Sequence, residues 1–255
     1  MGEPTLQSGI ICKQTMTPRR AMSHYEFMAA VPKLDAREQY FRIPSEIESL
    51  KLFLRYLSPV SAFAPAKVVL YIHGATFPSA LSIAHRFDGH SWRDELTAAG
   101  HHVWGLDFLG FGGSDRYYEM SQSPENRPVL GRAEIASRQI EKAVHFVLEQ
   151  HRIERISIVA HSWGSMAAGL FVGSHPELVD RIVFFAPIAE RQKHAPARIY
   201  PAWNLVSLQE QWDRFVEDVL PGHIPVLLCV HLTSRRYSQC AIRKTATVWD
   251  DGAGS

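Results

Sequence analysis

The chain has 255 residues, 46% hydrophobic and 21% charged, and its 27 Lys and Arg against 26 Asp and Glu give a formal net charge of +1. That is the composition of a globular domain long enough for one sizeable core. It excludes the cationic footprint of a nucleic-acid or anionic-membrane binder. Cys12, Cys229 and Cys240 show no pairing pattern and read as reduced thiols of a cytoplasmic protein. No apolar run reaches membrane-spanning length, and residues 1–20 lack the apolar stretch of a signal peptide. Leu6 stands where a myristoylation site wants Ser or Thr. The thirteen histidines are scattered rather than set at ligand spacings, so no metal and no cofactor are expected.

Residues 1–36 hold no sustained period and read as an irregular N-terminal segment. Residues 39–43 and 50–57 read as strands joined by the turn chemistry of Pro44-Ser45-Glu46. The run Lys-Val-Val-Leu-Tyr-Ile at 67–72 is typical of a strand buried on both faces. Ser91-Trp92-Arg93-Asp94 is a capping signal for a short helix that ends at Gly100. Another buried strand follows at 103–106. The clearest helix is 132–151, where Ala136, Ile140, Ala143, Val144, Val147 and Leu148 make one apolar stripe. Then come strand 155–160, helix 163–174 closed by His175-Pro176, and strand 181–186. This alternation predicts a mostly parallel, doubly wound α/β sheet over 37–186. Residues 187–223 break the rhythm and read as a helical insertion. Within them Ser207-Leu208-Gln209-Glu210 is a capping box, and Leu208, Trp212, Phe215, Val216 and Val219 line one side of the helix it starts. That stripe either packs on the body or forms a lid.

Residues 156–164, Ile-Ser-Ile-Val-Ala-His-Ser-Trp-Gly, carry the most chemistry. A short strand ends in a sharp turn with Ser162 at its apex, and a small-residue helix follows at once. Ala160 and Gly164, two positions either side, keep the space such a turn needs. The pentapeptide alone is weak, since [Gly/Ala]-x-Ser-x-Gly arises by chance in roughly one chain in seven of this length. Its plain alternative is a strand-to-helix turn with a capping serine. In doubly wound sheets ligands bind at the carboxyl ends of the strands. Two more such ends carry notable residues: His73-Gly74-Ala75-Thr76, and Asp107-Phe108-Leu109-Gly110-Phe111-Gly112-Gly113-Ser114. The second string is not a dinucleotide fingerprint, because Asp115 holds the slot of its last glycine.

With these three strings in this order, the chain resembles the α/β-hydrolase fold family over about residues 37 to 220. The likeness is nearest to lysophospholipase-like and monoacylglycerol-lipase-like serine hydrolases with a small helical cap. The resemblance implies roles. Ser162 would be the nucleophile, and the backbone N–H groups of Ala75 and Trp163 would form the oxyanion hole. His73, Gly74, His161 and Gly164 would shape the pocket; His161 reads as a structural turn residue rather than the base. Asp107 and residues 110–114 would shape a neighbouring loop, and Ser165 would pack in its helix. The substrate would be a small carboxylic ester, lipid-like in its acyl chain, with aromatic cap residues Tyr200, Trp203, Trp212 and Phe215 suited to it. A peptidase or haloperoxidase chemistry on the same fold is a further reading.

A serine needs a histidine base oriented by a carboxylate, and in this family both follow the serine in the chain. Residues 224–230 could be the strand before the acid, yet residues 232–234 hold no carboxylate; or they still belong to the cap, and that strand is absent; either way His231 is the last histidine. Residues 231–255 are polar and without period, and read as foreign to the family. The expectation is therefore a C-terminally truncated hydrolase whose last strands and helix are incomplete. It would be catalytically inert unless His194, His223 or His231, with Glu190, Asp250 or Asp251, substitutes for the missing pair. Such incompleteness would leave a sheet edge and an apolar face uncovered. Oligomeric state is not legible.

Overall fold

The computed structural model describes residues 33–188, 200–219 and 246–247. The irregular N-terminal segment lies almost wholly outside them, as do 189–199 and 220–223 of the insertion and the candidate strand 224–230.

The first two strands form a hairpin, β1 (Gln39–Pro44) antiparallel to β2 (Lys51–Leu57). Ser45 closes its turn, its N–H donating to the Leu50 carbonyl at 2.9 Å. Beyond it lie β3 (Val68–Ile72), β4 (His102–Asp107), β5 (Ile156–His161) and β6 (Val179–Phe185). The sheet order is β1-β2-β4-β3-β5-β6, antiparallel from β1 to β4 and parallel from β4 to β6. All five residues of β3 are buried, which is why its sequence is an unbroken apolar run rather than an alternating one.

Helices cover both faces. The stripe expected on residues 132–151 is buried along α2 (Ala133–His151), whose last turn is closed by Arg152 in the left-handed conformation. With α3 (Gly164–Ser174) it packs on Leu52, Leu54, Leu70, Ile72, Leu106 and Ile158, one face of the sheet. On the other face α1 (Trp92–Ala98) sets Leu96 against Tyr71, Ile83 and Val103. Its start is the expected capping box, with Ser91 and Asp94 each satisfying the other's backbone N–H. Among the described residues no helix is long and apolar enough to cross a membrane.

Strand β6 is partly exposed, Val183 by 55% and Phe184 and Phe185 by 44% each. Its one neighbour among the described residues is β5. Beyond it, α4 (Leu208–Val216) has its capping box, but Phe215 in the proposed stripe is 63% exposed while Trp212 and Val216 are half-buried. Just before α4, β7 (Asn204–Leu205) pairs antiparallel with β8 (Ala246–Thr247), so two residues of the aperiodic tail make a short ladder. Residues 200–203 are tied to the loop before α2, Ala202 N–H donating to Pro124 and Leu130 N–H to Ala202.

A buried ionic cluster has no signature in the sequence. The Glu38 carboxylate is fully buried and accepts from Arg55 Nη1 at 2.5 Å, from Arg93 Nη1, from the Leu34 N–H at 2.8 Å and from the Tyr40 hydroxyl at 2.7 Å. Burial alone would raise its pKa, but the charges of Arg55 and Arg93 outweigh that and hold it below the ordinary value. Removing the shared acceptor strands two buried guanidinium groups, so Glu38→Ala is expected to cost about 3–5 kcal/mol in a urea unfolding titration.

A second cluster sets an acid limit. Trp104 Nε1–H donates to His151 Nε2 at 2.9 Å, and the His151 and His102 rings lie 4.6 Å apart. Burial, then the neighbouring His102, pushes His151 down from 6.5 to about 4. The unfolded chain therefore binds more protons than the folded one across that window, and stability should fall as pH drops through it. Denaturation midpoints taken at about pH 7 and about pH 4.5 should separate less in His151→Gln, which keeps an acceptor for Trp104 without a titrating ring.

Candidate active site

Strands β3 and β5 are parallel neighbours with Ile72 opposite Ala160, so the residues leaving their carboxyl ends meet. His73-Gly74 lies against His161-Ser162 with no side chain between the two backbones. A Cβ added to Gly74 would sit 3.1 Å from Ser162 Cβ. One added to Gly164 would sit 2.3 Å from the His73 carbonyl oxygen, a distance no real pair of atoms tolerates. Ala160, by contrast, is fully buried and keeps its methyl, which is why that slot need not be glycine.

The turn itself is strained. Ser162 has φ +51°, a region that costs a non-glycine residue roughly 1–2 kcal/mol and persists only when its surroundings over-determine it. Here they do. The Ser162 N–H donates to the Phe185 carbonyl at the end of β6 at 3.0 Å. Its carbonyl accepts from Ser165 N–H at 2.9 Å and from Ser165 Oγ at 2.5 Å. Ser165 Oγ in turn accepts from the Ile188 N–H at 3.2 Å. Ser165, read from sequence as a packing residue, is thus a clasp between the turn and the segment after β6. The signal was its position three residues past the apex, where a hydroxyl reaches back to a free carbonyl.

Trp163 follows the apex as N-cap of α3, so its N–H and the helix's positive end share one place. Ala75 follows Gly74 and is half-buried. Among the described residues neither the Ala75 nor the Trp163 backbone N–H has an acceptor. His73 is fully buried behind them. Its Nε2 accepts from the Phe108 N–H at 3.2 Å, which puts the proton on Nδ1, donating to the Gly74 carbonyl at 2.6 Å. Burial outweighs the charge of Asp107 and lowers its pKa, so it is a neutral strut.

The loop after β4 is built on Asp107. Its carboxylate accepts from the Ser79 N–H at 2.8 Å and the Gly113 N–H at 2.9 Å. Its carbonyl accepts from Ser114 Oγ, which accepts from the Phe53 N–H at 2.7 Å. Arg116 then gathers the carbonyls of Phe111, Gly112 and Ser114. Asp107 therefore shapes a loop, as its sequence suggests.

His161 is half-buried, its ring 5.2 Å from that of Phe185, and burial lowers its pKa. Among the described residues no histidine nitrogen is hydrogen-bonded to Ser162 Oγ. The sequence candidates His194, His223 and His231, with Glu190, Asp250 and Asp251, lie outside the described residues. Among the described residues no group of three His, Cys, Asp or Glu side chains is placed to hold a metal.

A family profile described as the alpha/beta hydrolase fold matches residues 67–253. The chain belongs to the α/β-hydrolase fold family. The match runs through residues 231–253, the stretch that reads from sequence as foreign to it. No curated protein matches the chain. Among solved structures it is similar to a haloalkane dehalogenase from Agrobacterium tumefaciens, at 13% identity and TM-score 0.41, over 60% of this chain and 43% of that one. It is similar to a probable hydrolytic enzyme from Pseudomonas aeruginosa, at 24% identity and TM-score 0.39, over 59% of this chain and 41% of that one. It is also similar to a mutant epoxide hydrolase from Vigna radiata, at 14% identity and TM-score 0.42, over 75% of this chain and 51% of that one. The chain thus spans about half or less of the length of these structures.

The contact between Gly164 and the His73 carbonyl can be tested directly. Gly164→Ala forces two strand ends apart and is expected to cost about 1–3 kcal/mol by thermal or urea denaturation. Gly173→Ala, whose added Cβ would meet nothing within 4 Å, should be neutral or stabilising in the same assay.

Proposed function

We propose that the chain is a serine hydrolase of carboxylic esters, acting by acyl transfer through Ser162. The observation that carries this reading is the strained Ser162 turn, set beside two backbone N–H groups without acceptors among the described residues. Ser162 Oγ attacks the ester carbonyl, the carbonyl oxygen takes the negative charge, and the N–H groups of Ala75 and Trp163 receive it. Collapse expels the alcohol and leaves an acyl-serine; water then releases the acid and restores Ser162. Each well-aimed N–H donor is worth roughly 3–4 kcal/mol in such sites. A catalytic base drawn from His194, His223 or His231 completes the set, with Glu190, Asp250 or Asp251 to orient it. The substrate class is a small, lipid-like acyl ester of the lysophospholipase or monoacylglycerol type, its apolar chain lying along Tyr200, Trp203 and Trp212, with residues 187–223 as a cap. The chemistry needs no cofactor, and a cytoplasmic setting suits the three cysteines.

One observation favours a second reading, a chain that binds ligand without turning it over: no described histidine is bonded to Ser162 Oγ. Losing the base costs about 10⁶ in turnover in a triad hydrolase. A residual acceleration of roughly 10³–10⁴ over water remains from the oxyanion hole and binding.

A fluorophosphonate label and a short-chain p-nitrophenyl ester separate the readings. Labelling and turnover that both vanish in Ser162→Ala establish the hydrolase. A folded sample that neither labels nor turns over leaves the binding reading and removes the hydrolase.

A further inference from the structure

The loop that carries Ala75 is anchored at both ends and spans residues 74–78 between them. At its start His73 ties Gly74 to Phe108. At its end Ser79 is fully buried, pressed on β4 so closely that a Cβ on Gly105 would come within 2.8 Å of Ser79 Cβ. Two buried charges grip Ser79. Asp107 accepts its N–H at 2.8 Å, and Arg55 Nε donates to its Oγ at 3.2 Å. Arg55 is only 2% exposed and sits over the Tyr40 and Phe53 rings. Its Nη1 serves Glu38 at 2.5 Å, which leaves Nε for Ser79. One planar guanidinium therefore holds two partners in fixed directions, which an ammonium on a flexible stem does not reproduce.

We propose that Arg55 is a positioning residue for the oxyanion-binding loop: clamped on Glu38, it fixes Ser79 and thereby the direction of the Ala75 N–H. The inference rests on the reading of Ala75 as an oxyanion donor. If the Glu38 cluster served stability alone, a lysine that keeps the charge beside Glu38 would suffice. If Arg55 aims the loop, losing the Nε bond matters even when the charge stays, because a misplacement of about 1 Å at a reacting group costs about 10²-fold.

The test uses the full chain with Arg55→Lys, Ser79→Ala and the double variant, below their unfolding transitions. Ser79→Ala removes the acceptor while keeping the Asp107 bond, so it tests the link even where Arg55→Lys folds poorly. Amide hydrogen exchange is read on peptides covering residues 74–81, where the Ser79 and Leu81 N–H groups are hydrogen-bonded, with residues 160–168 as internal control, beside the second-order rate of fluorophosphonate labelling of Ser162. The expected result is faster exchange confined to 74–81 and labelling slowed roughly 10-fold to 100-fold in each single variant, with the double variant no worse than either. Unchanged exchange at 74–81 in Ser79→Ala overturns the proposal, as does unchanged labelling or strict additivity. Should the wild-type chain not label at all, the Ser162 reading fails by itself, and the exchange result alone decides whether Arg55 braces the loop.

Discussion

The structure turns on one close approach, between the backbone leaving β3 and the backbone entering α3. The His73 carbonyl occupies the space a side chain on Gly164 would need, and Gly74 lies against Ser162. With no side chain allowed between them, the two strand ends sit at backbone contact distance. A helix must then start within two residues of the end of β5, and the only way to turn that sharply is through the left-handed conformation at Ser162. The Ser162 hydroxyl, the N–H groups of Ala75 and Trp163 and the helix N-terminus come together because the sheet brings β3 and β5 side by side.

Around that contact the protein has put polar groups where a sheet would normally be apolar. His73, Asp107, Ser79, Arg55, Glu38 and Arg93 are all buried. Such groups are costly to bury unless satisfied, and once satisfied they hold direction as well as distance. The apolar core fixes which strands neighbour one another. The polar layer fixes where the loops leaving those strands point. Arg93 shows the limit of this arrangement, since its Nε and Nη2 have no hydrogen-bond partner among the described residues.

Much of this was legible. The all-apolar run of β3, the stripe of α2, the Ser91 and Ser207 capping boxes and the turn at Ser162 each follow from a short local pattern, and each is found where that pattern sits. The likeness of the strings at 73–76, 107–114 and 160–164 identified the family. The ionic cluster was not legible, because Glu38, Arg55 and Arg93 are far apart in sequence and each is an ordinary charged residue there. The role of Ser165 shows in sequence only through its position three residues past the apex, because its partners, the Ser162 carbonyl and the Ile188 N–H, are backbone groups.

The bond from the Ser162 N–H to the Phe185 carbonyl ties the strained turn to the last residue of β6. Among the described residues β6 has one neighbour, and Val183, Phe184 and Phe185 are partly open. Each time its end lifts away, the turn loses the acceptor that holds its strained conformation. The fraction of time the Ser162 turn keeps its geometry is then bounded by how firmly the end of β6 stays closed. Whatever packs on β6 would act on that turn without touching it.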